Sequence, residues 1–269
     1  MFSLTGKIYV VTGAAGMLGR QHCDIIAKAG GTPILLDVEK TRVEAAATEV
    51  SKKHGVEAIG YVVDITNEAS VEACAQTVLK KFGRVDGLIN NAANNPKVEG
   101  NTGKDFSRLE NFPLEIWLND LAVGLTGSFL CSKHFGPLIA RQGGSIINIS
   151  SDLGVISPDQ RLYRKPGLAE DQQPVKPITY SVTKSGLLGL TRYLATYWAD
   201  KGVRCNALCP GGVENNQDPA FLKEVTARIP LGRLARVDEY QGCILFLLSD
   251  ASSYMNGAVM NVDGGRTTW

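Results

Sequence analysis

The sequence predicts an α/β protein with one doubly wound, seven-stranded parallel sheet and helices on both faces. Seven short β-rich runs alternate with longer stretches of helical periodicity, and most of the runs are apolar at every position. Strands that are apolar on both faces are typical of a parallel sheet covered by helices on each side. No linker-like stretch interrupts the 269 residues, so we expect a single domain over residues 1–269.

Strands and helices are predicted in alternation along the chain. The strands are expected at 8–11, 33–36, 58–63, 87–89, 145–149, 203–208 and 259–262. The helices are expected at 18–29, 43–54, 69–82, 114–140, 180–199 and 238–248. Two polar, irregular segments, 94–111 and 157–177, follow the carboxyl ends of strands. Ligands bind at these ends in open α/β sheets, so both segments are expected near a functional site.

The charge balance argues against a nucleic-acid or membrane partner. The 28 Lys and Arg residues offset 27 Asp and Glu residues, which leaves a net charge of +1. The longest uncharged apolar runs, such as 243–248, are too short to span a bilayer. The N-terminus lacks a basic segment ahead of a long apolar stretch, so no signal peptide is expected. We expect a cytoplasmic protein that acts on a small molecule.

The cysteines and histidines do not predict a metal site. Six cysteines stand singly in apolar stretches, without a CxxC pair, and three histidines are scattered along the chain. Neither a metal centre nor a disulfide framework fits this spacing. We expect buried, reduced thiols.

A glycine-rich turn follows the first predicted strand. Gly13, Gly16 and Gly19 are spaced three apart, which allows a tight turn and close approach of the backbone to a pyrophosphate. The helix that follows offers free N–H groups to the phosphates. Asp37 ends the second strand, 18 residues beyond Gly19, where a carboxylate would accept hydrogen bonds from an adenosine ribose. A simple turn and a strand-end cap are the structural alternatives.

The same carboxylate predicts NAD rather than NADP. Asp37 would repel a 2′-phosphate, and no Arg or Lys lies between Gly13 and Gly19 or at position 38. Asp64 ends the third strand, where it could bind the adenine amino group or cap the next helix.

The segment from Thr179 to Lys184 predicts acid–base chemistry. Tyr180 and Lys184 share one helix face, so the ammonium can lie near the phenol. A free tyrosine has a pKa near 10, and a nearby cation favours the phenolate. The pair could move a hydroxyl proton while hydride moves to or from a nicotinamide; a surface pair is the alternative. Ser151, at the end of the fifth strand, could bind the reacting oxygen.

These motifs together resemble the short-chain dehydrogenase/reductases over nearly the full length. The matching pieces are TGAAGMLG (12–19), Asp37, Asp64, NNAA (90–93), NISS (148–151), YSVTK (180–184), NALCPGG (206–212) and LSDASSYMNGAVMNVDGG (248–265). The resemblance implies a Rossmann-type fold, NAD-dependent interconversion of a secondary alcohol and a ketone, and a homotetramer or homodimer.

The resemblance also implies a role for each matched position. Tyr180 is expected to be the acid/base, Lys184 to lower its pKa and hold the nicotinamide ribose, and Ser151 to orient the substrate oxygen. Asn90 would support the cofactor pocket, and Ser150 would point to the opposite face from Ser151. Cofactor contacts are expected from Gly13, Ala15, Gly16, Met17, Leu18, Gly19, Asp37, Asp64, Ile65, Asn91, Ala92, Tyr180, Lys184, Pro210, Gly211 and Val213.

Three features depart from the family pattern. The glycine turn has Gly16 and Met17 in place of the usual TGxxxGxG spacing. The helix-four asparagine that carries a proton-relay water aligns with Gly124, and Asn119 is five residues too early to replace it. Ser151 and Tyr180 are 29 residues apart, about twice the usual separation.

The extra length between Ser151 and Tyr180 forms an insertion at about 157–177, which is expected to border the substrate. It offers four cations that could hold an anion, although a solvated loop is the alternative: Arg161, Arg164, Lys165 and Lys176. A weaker resemblance to a subgroup linked to bacterial surface-sugar and flagellin-glycan pathways implies a polar, sugar-like and anionic substrate. The alternative functions are a 3-oxoacyl-carrier-protein reductase and a catalytically silent dinucleotide sensor.

Overall fold

The computed structural model describes residues 1–94 and 107–269, and its centre is a seven-stranded parallel sheet in the order β3-β2-β1-β4-β5-β6-β7. The strands are β1 (Ile8–Thr12), β2 (Thr32–Asp37), β3 (Ile59–Val62), β4 (Gly87–Asn90), β5 (Gly144–Ile149), β6 (Val203–Pro210) and β7 (Val259–Val262). The order reverses between β1 and β4, which creates the crevice where such sheets bind ligands. The predicted Rossmann-type fold is confirmed.

Helices cover both faces of the sheet. They are α1 (Met17–Lys28), α2 (Lys40–His54), α3 (Glu68–Phe82), α4 (Leu114–Leu121), α5 (Gly127–Ile139), α6 (Ile178–Tyr197), α7 (Pro219–Thr226) and α8 (Gln241–Leu248). The first core lies between the sheet and α1, α2 and α8, and the second lies between the sheet and α3, α5 and α6. The apolar residues of the strands are buried because each face of the sheet belongs to one of these cores.

The structure differs from the prediction at two places. The single helix predicted over 114–140 is interrupted by a π-helical turn, Ala122–Thr126, between α4 and α5. Helix α7 was not predicted at all, because its amphipathic stretch is only eight residues long. Of the irregular segment predicted at 94–111, residues 95–106 lie outside the described part of the chain.

The insertion (residues 157–177) packs against α7. Leu162 joins Val225 of α7 and two residues that follow it, Ile229 and Leu234, in a small apolar cluster that we call the satellite core. Asp159 accepts a hydrogen bond from Arg228 Nε at 2.7 Å. The insertion is therefore a shaped wall with its own apolar anchor.

All six cysteines are free thiols, and five of them are buried. Within residues 1–94 and 107–269, no three His, Cys, Asp or Glu side chains gather as metal ligands would. The helices of that same part of the chain are all too short or too polar to cross a bilayer.

Candidate active site

A cleft of about 730 Å³ runs along the carboxyl ends of the strands. One end is formed by the glycine turn between β1 and α1, and the other by Ser151, Tyr180 and Lys184. The following predicted cofactor positions line it: Gly13, Gly16, Met17, Leu18, Gly19, Asp37, Asp64, Ile65, Asn91, Ala92, Tyr180, Lys184, Pro210, Gly211 and Val213. Ala15 does not line the cleft; it is buried beneath the turn. A single cavity thus joins the two motif groups that the sequence places far apart.

The glycine turn leaves no space for side chains. Gly13 has a φ of +60°, and a Cβ on it would lie 2.8 Å from the Cα of Ala92. A Cβ on Gly19 would overlap the carbonyl oxygen of Gly13. The backbone at the start of α1 is therefore open to the cleft, with its first N–H groups available to an anion. This cradle fits the pyrophosphate of a dinucleotide.

Hydrogen bonds hold the turn against the neighbouring strand. Asn91 Nδ2 donates to the carbonyl oxygens of Thr12 at 2.9 Å and Gly13 at 3.2 Å. Asn90 is buried and donates to Asn148 Oδ1 at 2.8 Å, so it joins β4 to β5 beneath the cleft. His22 is fully buried on α1, and burial lowers the pKa of its imidazole to about 4.

Asp37 lies at the adenosine end of the cleft together with a cation that the sequence analysis missed. Asp37 Oδ2 accepts the backbone N–H of Ala15 at 2.9 Å, so the carboxylate already supports the turn. Arg42, from the first turn of α2, donates to the carbonyl of Ala15 at 3.1 Å and also lines the cleft. Arg42 lies four residues beyond position 38, on the helix that follows β2.

Asp64 does not cap the next helix, which was one of its two predicted roles; it stabilises the turn before that helix. Its Oδ1 accepts hydrogen bonds from the backbone N–H of Thr66 at 2.9 Å and from the Thr66 hydroxyl at 2.7 Å. The carboxylate therefore stabilises the turn before α3, where Asn67 is the N-cap. It is exposed and lines the cleft, so its second oxygen remains accessible there.

Ser151 and Tyr180 meet at the other end of the cleft. Ser151 lies two residues beyond the end of β5 at Ile149, not at the strand end that the sequence predicts. Its side chain is buried, within hydrogen-bonding reach of the Tyr180 phenol on α6. The neighbouring Ser150 instead donates to the carbonyl of Lys184 at 2.7 Å, so the two serine hydroxyls serve different faces. Strand alternation places only Ser151 beside the phenol.

Lys184 is buried beside the phenol, one helical turn along α6. Its Nζ donates to the carbonyl of Ile149 at 2.8 Å and lies 5.9 Å from the centroid of the Tyr180 ring. Burial lowers the pKa of Lys184 to about 8, with a smaller contribution from the Lys176 charge. Burial raises the pKa of Tyr180, its hydrogen bond with Ser151 lowers it, and the Asp152 charge raises it. The lowering of the phenol pKa by lysine, expected from the sequence, does not prevail in this geometry.

Gly124 lies in the π-helical turn and is buried against α6. A Cβ at this position would lie 3.2 Å from both Cβ and Cγ2 of Thr183. Thr179 Oγ1 donates to the buried Asp120 of α4 at 2.6 Å, which ties the same helices together. A side chain at position 124 would therefore press against Thr183.

Three of the four cations of the insertion turn away from the cleft. Arg161 pairs with Asp159 at 2.8 Å, Arg164 pairs with Glu170, and Lys165 is exposed. Lys176 does line the cleft, with its Nζ 3.9 Å from the centroid of the Tyr180 ring. Burial lowers the pKa of Lys176 to about 8.

Two buried charged residues at this end were not among the predicted site residues. Asp152 follows Ser151 directly, and Arg266 comes from the C-terminal turn; both line the cleft. The available clue to Asp152 was its charge, directly after the predicted serine. Arg266 could not be connected to it, because it is more than a hundred residues away in the chain.

A parallel sheet with a glycine cradle at the switch point and a Ser, Tyr and Lys cluster beyond it defines a nicotinamide-dependent oxidoreductase fold. The model of the short-chain dehydrogenase family matches residues 7–163, and a model described as enoyl-(acyl carrier protein) reductase matches residues 168–267. The chain belongs to the short-chain dehydrogenase/reductase family, whose members act on alcohols and ketones.

Relatives in the family differ in substrate and cofactor. A 3-oxoacyl-[acyl-carrier-protein] reductase of Aquifex aeolicus is 32% identical over 97% of this chain and 98% of its own length. An NAD⁺-bound xylitol dehydrogenase structure has a TM-score of 0.85 and 26% identity, covering 97% of this chain and 99% of that one. A gluconate 5-dehydrogenase of Burkholderia cenocepacia, in complex with NADP and tartrate, has a TM-score of 0.85 and 28% identity, covering 100% of this chain and 98% of that one.

Proposed function

We propose that the protein is an NAD-dependent dehydrogenase/reductase that interconverts a secondary alcohol and a ketone on a small, polar, sugar-like substrate. The observation that supports this most is the continuous cleft that joins the glycine cradle to Ser151, Tyr180 and Lys184. A nicotinamide bound there supplies or accepts the hydride, and the residues beyond it handle the proton.

In this proposal, each polar group at the chemistry end has one task. Tyr180 Oη gives a proton to the ketone oxygen or takes it from the alcohol, while Ser151 Oγ holds the reacting oxygen in place. Lys184, fixed by the carbonyl of Ile149, holds the ribose of the cofactor near Tyr180. The buried walls around these groups exclude water from the reacting atoms.

The cofactor proposal rests on Asp37. Its carboxylate lines the adenosine end of the cleft, where it can bind ribose hydroxyls and repel a 2′-phosphate. Arg42 supports the second candidate, NADP, because its guanidinium reaches the same corner and could pair with that phosphate. The xylitol dehydrogenase neighbour binds NAD⁺ and the gluconate 5-dehydrogenase neighbour binds NADP, so cofactor preference is tested by direct binding.

The substrate proposal rests on the insertion and on Lys176. The insertion borders the cleft through Tyr163, and Lys176 adds a cation close to Tyr180. Such a wall suits a polar substrate with hydroxyl or carboxylate groups better than a long acyl chain. A 3-oxoacyl thioester is the alternative, favoured by the identity to the acyl-carrier reductase.

We also propose a cytoplasmic homotetramer, or a homodimer as its smallest form. Large apolar side chains on α4, α5 and α6 are exposed in the monomer: Leu114, Leu118, Phe129, Val182, Tyr193 and Tyr197. Large apolar side chains left exposed on several helices are typical of an interface between copies of a chain.

Fluorescence titration with NADH and NADPH tests the cofactor, and turnover on xylitol, gluconate and an acetoacetyl thioester tests the substrate. We expect tighter NADH binding and turnover of a polyol or hydroxy acid. Tyr180→Phe should abolish turnover and keep NADH binding, whereas the control Tyr254→Phe, at an exposed tyrosine outside the cleft, should retain activity. NADPH preference together with thioester reduction would overturn the proposal, and full activity of Tyr180→Phe would refute the acid–base role.

A further inference from the structure

A buried ion pair lies directly behind Ser151. Asp152 Oδ2 is 3.3 Å from Arg266 Nη1, and the two side chains are only 5% and 10% exposed. The turn that carries Arg266 is held by Asp263, which accepts the backbone N–H groups of Gly265 at 2.9 Å and Thr267 at 2.8 Å. Burying two charges costs free energy that their mutual attraction offsets only in a favourable geometry, so stability alone is a weak explanation for this pair.

The Asp152 carboxylate takes the only proton that Ser151 can donate. Asp152 Oδ1 accepts a hydrogen bond from Ser151 Oγ at 2.7 Å and another from the backbone N–H of Leu153 at 2.8 Å. A carboxylate only accepts hydrogen bonds, and a serine hydroxyl has one proton. Ser151 Oγ also accepts the backbone N–H of Leu153 at 3.2 Å, so before a ketone binds Ser151 offers Tyr180 its one remaining lone pair. To hold a ketone oxygen, the Ser151 hydroxyl must turn its proton from Asp152 to the substrate.

The direction of this hydrogen bond affects the protonation of Tyr180. A neutral phenol donates a hydrogen bond, and Ser151 can accept it while keeping its own bond to Asp152. A phenolate only accepts, so Ser151 would have to leave Asp152 to stabilise it. The negative charge of Asp152 also disfavours a second negative charge nearby.

We propose that Asp152, held by Arg266, acts through Ser151 to keep Tyr180 protonated, the form that gives a proton to a ketone. Asp152 is therefore a positioning residue, and it biases the enzyme at neutral pH toward ketone reduction, with alcohol oxidation favoured at alkaline pH. This inference rests on the proposed role of Tyr180 as the proton donor.

Other charged and titratable groups also face Tyr180. Lys176 lies over the ring at 3.9 Å and Lys184 at 5.9 Å, and both cations favour the phenolate. Tyr163, whose pKa burial raises to about 12, is neutral in the same range. The negative charge of Asp152 and its competition for the proton of Ser151 act against the two lysines, with Arg266 holding the carboxylate in place.

The test needs no substrate. The near-ultraviolet absorbance of the enzyme is titrated with pH and compared with that of Tyr180→Phe, so that the difference isolates one of the eight tyrosines. In an Asp152→Asn background the same difference should titrate at lower pH. The control Glu239→Gln removes a carboxylate that is also paired with arginine but lies outside the insertion, and it should leave the titration of Tyr180 unchanged.

A second variant protects the test against misfolding. Asp152→Asn leaves Arg266 buried without its counter-charge, whereas Asp152→Asn combined with Arg266→Gln removes both charges. The double variant should shift the titration in the same direction. If Tyr180 titrates as in the wild type in either folded variant, the proposal is wrong.

Turnover separates this inference from the proposed function. With an alcohol and ketone pair that the enzyme converts, the pH of half-maximal oxidation should fall in Asp152→Asn. Below that pH the oxidation rate should rise about tenfold for each unit of the shift. A shifted titration without turnover on any tested substrate would leave the inference intact and contradict the proposed substrates. Turnover with an unshifted titration of Tyr180 would support the proposed substrates and contradict the inference about Asp152.

Discussion

Restoring the family's asparagine at position 124 should destabilise this protein. A Cβ there lies 3.2 Å from Cβ and Cγ2 of Thr183, a few tenths of an ångström closer than an ordinary contact. Overpacking of this kind costs roughly 1–3 kcal/mol. For a chain of this size, Gly124→Asn should lower Tm by roughly 2–12 °C, at about 2–4 °C per kcal/mol.

Thermal and urea unfolding of a small set of variants would check this reasoning. Thr183→Ser removes the Cγ2 methyl and keeps the hydroxyl that donates to the carbonyl of Thr179 at 2.7 Å. Combined with Gly124→Asn it should be less destabilising than the sum of the two changes, by at least about 0.5 kcal/mol. Gly242→Asn, where a Cβ meets nothing within 4 Å, should be close to neutral. Additive effects, or a fully stable Gly124→Asn, would show that Thr183 does not exclude the asparagine.

Three further predictions concern pH, the insertion and assembly. His22 is buried and its pKa is lowered to about 4, so the unfolded chain binds one more proton below its usual value near 6.5. As the pH is lowered from 6.5 to 4, the free energy of unfolding should therefore decrease by up to about 1.4 kcal/mol per pH unit. In urea titrations, His22→Leu should show a smaller decrease over this range, because the contribution of the imidazole is gone. Arg228→Gln removes the ion pair that joins Asp159 of the insertion to the segment after α7 and so loosens the insertion, and steady-state kinetics should show KM rising more than kcat falls. Tyr193→Glu places a charge on the exposed apolar surface, and light scattering should show smaller assemblies with an unchanged circular dichroism spectrum.

Each of these three predictions has a control or an opposing outcome. An unchanged acid slope in His22→Leu would mean that the imidazole is not neutral in the folded state. Arg233→Gln removes an arginine that pairs with Glu239 outside the insertion, and it should leave KM unchanged. If Tyr193→Glu keeps the assembly of the wild type, that surface is not the interface.

The fold and the main site were predictable from the sequence because their signals are local. The runs at 8–11 and 33–36 are apolar throughout, and Tyr180 and Lys184 lie one helical turn apart. The π-helical turn at Gly124 was not predictable, since one extra residue barely disturbs a helical pattern. The pairing of Asp152 with Arg266 depends on tertiary structure alone. Arg42 was missed because it approaches the cofactor corner from the following helix.

The satellite core has a consequence for how such enzymes diversify. The insertion and α7 fasten to each other through Leu162 and Val225, outside the two cores that cover the sheet. A chimera that exchanges residues 157–177 together with 213–235 would bring its own apolar contacts and should fold on the unchanged sheet. Exchanging either segment alone would expose the other's apolar side chains to water. Substrate specificity can thus change through the joint exchange of these two segments, while the sheet, Ser151 and the glycine turn stay the same.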